Sequence, residues 1–158
     1  MDRWLSDDPP WLGANDAVGD QVSDLKTSEN RLSVFEVPPA DPSTPLRIAA
    51  ALTAARERLD DVEYCLFDDA TLSRIAVRTK AAPGRTPDPL VNSWHKDLVE
   101  LSGNLLTNLA MELRLIEKGR VLREDLQKEL LAAIREGTRF SGRGEPNIAK
   151  YFRKKGLL

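Results

Sequence analysis

The chain of 158 residues holds one cysteine, Cys65, and one histidine, His95. A lone cysteine excludes an internal disulfide and any cysteine-built metal site. A lone histidine excludes a histidine-rich zinc site and leaves little for general-base chemistry. Long apolar runs are missing as well: Arg, Asp, Glu or Lys interrupts every candidate span, so none reads as a membrane helix. The first residues are too acidic, and too broken by Pro9 and Pro10, to read as a signal peptide. A phosphate-binding loop is also lacking, because Gly142-Arg143-Gly144 leads to Pro146 rather than from a strand into a long helix. Together these absences predict a cytoplasmic protein that uses no cofactor and meets no membrane.

What the chain does have is a charge split between its ends. Residues 1–42 carry nine acids against three bases, a net of −6, and residues 137–158 carry six bases against Glu145 alone, a net of +5. The formal total of −2 conceals both. Such asymmetry points to a terminus that meets something of opposite sign. With 41% hydrophobic residues the chain can bury one good core. Residues 1–20 read as an acidic, loosely ordered arm, 21–137 as a single domain, and 138–158 as a basic tail ending in a short helix.

Within that domain the patterning predicts an α+β fold. Val22–Leu25 is a candidate strand, and Lys26–Asn30 a turn into a second strand at 31–37 that Pro38-Pro39 ends. Ser43-Thr44-Pro45 reads as a helix start, the hydroxyl as N-cap and the proline in the first turn, with apolar positions continuing to Leu59. Val62–Phe67 then forms a strand, so strand, helix and strand make one βαβ unit with parallel strands in a small mixed sheet. One helical turn follows at Asp68–Leu72, and a further strand at Arg74–Thr79. The proline-rich loop 81–88 separates this sheet half, 21–80, from a helical hairpin at 89–137. Asp88 and Pro89 open its first helix. Leucines, with Trp94 and Ile116, recur every three or four residues from Leu90, which predicts about 30 helical residues and about 45 Å of length. Gly119 ends it, and Glu124–Glu136 is the second arm.

No catalytic constellation emerges, so the sequence predicts a non-catalytic accessory or adaptor subunit that binds a protein partner or a second copy of itself. The candidate contacts are the helical hairpin and the tail. In the tail, Ile148, Tyr151, Phe152 and Leu157 are candidate anchors, and Gly156 is placed to close a Schellman ending with Leu157 against Phe152. Trp4 and Trp11 are the matching candidates in the acidic arm, because indoles are costly to leave in water. An alternative reading is nucleic-acid binding, with Arg139, Arg143, Lys150, Arg153, Lys154 and Lys155 neutralising phosphates. A third places Mg²⁺ among Glu36, Asp68 and Asp69 at strand ends, for nuclease or phosphotransfer chemistry.

Overall fold

The computed structural model describes residues 29–37, 41–140 and 145–158. The predicted arm, with Trp4 and Trp11, the predicted strand at Val22–Leu25, and Arg143 lie outside the described residues. The fold is α+β. In chain order the elements are β1 (Leu32–Phe35), α1 (Thr44–Ala54), β2 (Val62–Cys65), α2 (Asp69–Arg74), β3 (Arg78–Ala81), α3 (Pro89–Ser93), β4 (His95–Val99), α4 (Gly103–Leu115), β5 (Lys118–Val121), α5 (Arg123–Glu136) and α6 (Ile148–Lys154). They build one sheet of order β1-β4-β3 and a ribbon of β2 with β5.

Three expectations change. The strand expected at Arg74–Thr79 is displaced: Arg74 closes α2, and β3 runs Arg78–Ala81. Strands β1 and β2 lie in different sheets and the sheets are antiparallel, so α1 joins two sheets and the parallel βαβ unit does not form. The backbone pairing fixes the direction of β1 against β4: Glu36 N–H donates to the Trp94 carbonyl (2.8 Å), and Leu101 N–H to the Asn30 carbonyl (3.0 Å). The single long helix is also replaced, by α3, β4 and α4 in succession. Leucines at steps of three or four suit a helix, but His95–Val99 is the central strand of its sheet and satisfies backbone groups on both edges. Ser102, extended at φ −62°, ψ 166°, then restarts the helix as α4. The second arm survives as α5, entered from β5 rather than from a glycine turn.

The chain divides into two compact units. One comprises, among the described residues, 29–33, 65–80 and 97–117. Its buried side chains are Leu72, Val77, Leu98, Leu101, Leu109, Ala110 and Leu113. Its ion pairs, Arg74 with Glu112 and Arg78 with Glu100, lie towards solvent.

The other unit comprises 34–37, 41–64, 81–96, 118–140 and 145–158 of the described residues. Here α1 packs most extensively on α5 and also meets α3, α6 and β5. Ala49, Ala50 and Ala54 keep one face of α1 small, so that Leu126 and Leu130 of α5 and Ile148 and Phe152 of α6 close over it. Each of those larger side chains, wholly buried, contributes about 1.5–3 kcal/mol. Gly137 ends α5 in the left-handed region at φ 73°, its N–H donating to Ala133. The close of α6 is the anticipated Schellman pair: Gly156 N–H to the Arg153 carbonyl and Leu157 N–H to the Phe152 carbonyl, both 3.0 Å.

Candidate functional site

A groove of about 500 Å³ runs along the surface of this second unit. Pro42, Pro45 and Leu46 form one side at the start of α1, and Tyr64 and Val121 the base on the β2–β5 ribbon. Asp125, Lys128, Glu129 and Ala132 of α5 form the far side, with Arg120 at the ribbon's edge. Local sequence chemistry sets each wall. Asp41 accepts from both the Ser43 N–H (2.9 Å) and the Ser43 hydroxyl (2.6 Å). The Ser43 hydroxyl is therefore not the helix cap that the sequence suggested; it is turned back onto Asp41. At the base, a Cβ on Gly119 would stand 2.2 Å from Tyr64 Cζ. Only glycine lets the tyrosine ring lie that close to the β5 backbone.

Every charged side chain that lines the groove has a partner in place. Arg120 meets Glu63, and Asp61 at 3.7 Å. Lys128 meets Asp125 at 3.9 Å, both well exposed. Glu129 is bound by Nη1 of Arg139. That arginine leads away from the groove into a buried network.

Asp88 is the centre of this network, and its side chain is 1% exposed. Oδ1 accepts from Leu90 N–H (3.0 Å) and Val91 N–H (3.3 Å), capping α3. Arg47 of α1 donates through Nε (2.9 Å) and Nη2 (3.2 Å), and Arg139 through Nε (3.1 Å). The Arg47 guanidinium also lies 6.0 Å from the Trp94 ring centroid. Burial pushes the Asp88 carboxyl up, but the hydrogen bonds from Arg47, Arg139 and Val91 N–H outweigh it, and the group stays below the usual carboxylate range. Two polar atoms of the unit are buried without a partner, Thr44 Oγ1 and Arg139 Nη2.

The sequence-derived candidates fall elsewhere. Ile148 and Phe152 are 0% exposed within the chain's own core, and Leu157 packs against that core, so these anchors are not on offer to a partner. Tyr151 is half-buried, edge-on to Phe152, with its hydroxyl 3.5 Å from Arg123 Nη2. Of the tail cations, Arg139 is in the Asp88 network, Lys150 pairs with Glu57 at 2.8 Å, and Arg153 pairs with Glu145. Lys154 and Lys155 are exposed. Of the described tail cations three are thus held in ion pairs within the chain, and Ile148–Lys154 is a folded helix.

The strand-end acids are not assembled for a metal. Glu36 pairs with Lys96 at 2.8 Å, and Asp68 caps α2 through Thr71. Among the described residues no group of three or more His, Cys, Asp or Glu is placed to hold a metal ion. His95 Nδ1 lies 3.0 Å from the Ala82 carbonyl, and its ring meets Phe35 edge-on. Cys65 is half-buried.

Sequence reasoning found the Asp88-Pro89 helix start but not the groove or the two arginines. Arg47 and Arg139 are 41 and 51 residues from Asp88 in sequence, and no local pattern announces either. Comparisons with protein-family models, curated proteins and solved structures find no match to this chain.

Proposed function

We propose that the chain is a non-catalytic, cytoplasmic accessory or adaptor subunit that holds a segment of a protein partner in the groove between α1, the β2–β5 ribbon and α5. One observation carries this reading: Pro42, Pro45 and Leu46 on one side, with Tyr64 and Val121 at the base, give a surface groove an apolar lining, and the charged side chains that line it are already paired. A surface of this kind gains free energy by covering apolar area and loses little by desolvating its rim. The burial of Ile148 and Phe152 moves the proposed contact away from the tail and onto this groove. Among the described residues no helix is long and apolar enough to cross a membrane, in keeping with a partner met in water.

The test is affinity purification of the full chain from its native cell, with mass measurement of what comes with it. Leu46→Asp places a charge on the α1 side of the groove, and Lys155→Ala alters an exposed tail cation. A protein partner retained by Lys155→Ala and lost by Leu46→Asp is the expected result. A chain recovered alone, or a partner indifferent to Leu46→Asp, overturns the reading.

A further inference from the structure

Resting on the groove reading, we infer that Arg139 is the residue that determines what the groove accepts: by compensating Glu129 from behind, it makes the groove select an uncharged apolar stretch of the partner rather than a basic one. Glu129 lines the groove, and its carboxylate is the one lining charge whose partner is nearly buried, the Arg139 side chain being 12% exposed. Arg139 is itself held: its Nε donates to the fully buried Asp88 at 3.1 Å, and Asp88 is fixed in turn by Arg47 and by two backbone N–H groups of α3. The guanidinium therefore cannot turn away to follow an incoming ligand.

The other lining charges are held more loosely. Lys128 and Asp125 face each other at 3.9 Å with side chains 81% and 54% exposed, and such a pair exchanges readily with water. Arg120 is 47% exposed and shared between Glu63 and Asp61. Glu129 alone is compensated by a nearly buried cation that Asp88 anchors. A lysine entering beside it would lose hydration and meet a carboxylate already neutralised, whereas a leucine or proline would lose nothing polar. Without Arg139 the same carboxylate becomes an open attractant for cations.

Because the partner is unidentified, the probes are N-acetyl-leucinamide and N-acetyl-lysinamide, titrated into the full chain while the NMR signals of Tyr64, Val121 and Ala132 are followed. In the unaltered chain the leucine fragment should move those signals and the lysine fragment should bind at least about threefold more weakly. In Arg139→Gln the lysine fragment should gain about threefold to fivefold, and Arg139→Lys, which keeps the charge, should restore the original order. A purely structural role would lower the melting temperature in both variants without exchanging the two fragments. Should Arg139→Gln fail to fold, salt decides the matter in the unaltered chain: lysine-fragment binding that is indifferent to added sodium chloride supports compensation, and binding that falls as salt rises shows that Glu129 acts as a free carboxylate and overturns it. An unchanged preference in Arg139→Gln sinks this inference alone, whereas signals that neither fragment moves remove the groove reading and this inference with it.

Discussion

Asp68 and Asp88 begin helices in the same way, in two different units of the molecule. Both are extended residues whose Oδ1 accepts the N–H groups of the first turn: Thr71 at 2.8 Å for Asp68, Leu90 and Val91 at 3.0 and 3.3 Å for Asp88. Asp68 stands in solvent, bonded to Thr71 with Arg74 nearby, while Asp88 is fully buried between two arginines. A cap that water can replace is a local device. A cap that also neutralises buried cations holds several elements at once, here α1, α3 and the segment that follows α5. The difference is one of burial, and burial is what a local sequence pattern does not contain.

The largest test of that contrast is Asp88→Ala. It leaves Arg47 and Arg139 without their common carboxylate and should cost about 3–5 kcal/mol, read from the urea midpoint at neutral pH. Asp88→Asn keeps a competent cap and removes only the charge, so most of the loss should persist. If the asparagine variant is as stable as the unaltered chain, the network is ornamental and the two aspartates are equivalent after all.

Gly119→Ala asks whether uncharged packing in the same unit matters as much as the ions. The new Cβ would stand 2.2 Å from Tyr64 Cζ and 2.5 Å from its hydroxyl oxygen, so the ring must move. Overpacking of this kind should cost about 1–3 kcal/mol and shift the Tyr64 ring resonances, since the ring lines the groove. A fully stable alanine variant with unmoved Tyr64 signals would show that the ring is not held against β5.

Acid separates the two capping groups further. Asp88 titrates below its ordinary range because the arginine and backbone hydrogen bonds outweigh its burial, and Asp68 does so because of its bonds to Thr71. A carboxylate whose folded pKa is depressed adds stability that is fully present above its unfolded value, about 3.9, and is lost as pH falls through the folded value. Stability should therefore decline below about pH 4. Asp88→Asn should decline less steeply, because it lacks the Asp88 carboxylate, but should still decline, because Asp41, Glu57 and Asp68, also lowered, remain in both proteins. Parallel urea midpoints between neutral pH and about pH 2 would mean that Asp88 contributes nothing to acid sensitivity.

What could be read from the sequence follows the range over which each interaction acts. The α5 helix with its end at Glu136 and the Schellman close of α6 were legible, because each depends on neighbours within five residues. The central strand β4 was not. His95–Val99 sits inside a helical leucine spacing and carries no strand signal of its own, so the strand is decided by its pairing with β1 and β3. The same holds for the tail: Ile148, Tyr151 and Phe152 form an apolar face whether a partner covers it or α1 and α5 do. The alanines of α1 supply the space that decides it. Of the groove's surroundings, α1, β2, α5 and the Asp88-Pro89 helix start were visible in advance, but Arg139, read as a phosphate contact, proved to be an internal cation.

The smallest effect belongs to Asp68. Asp68→Ala removes the acceptor for the Thr71 N–H and hydroxyl, both at 2.8 Å, but solvent reaches that end of α2 and can take the acceptor's place. Asp68→Asn, an equally good cap, should leave the urea midpoint where it was, and Asp68→Ala should lower it by only a fraction of the Asp88→Ala loss. Hydrogen exchange gives the sharper reading. Opening at the first turn of α2 should quicken the Thr71 amide in Asp68→Ala and leave the amides of α1 and α5 unchanged, whereas Asp88→Ala should quicken amides in α1, α3 and α5 together. If Asp68→Ala also loosens the distant helices, the exposed aspartate is no mere local cap, and burial is not what separates it from Asp88.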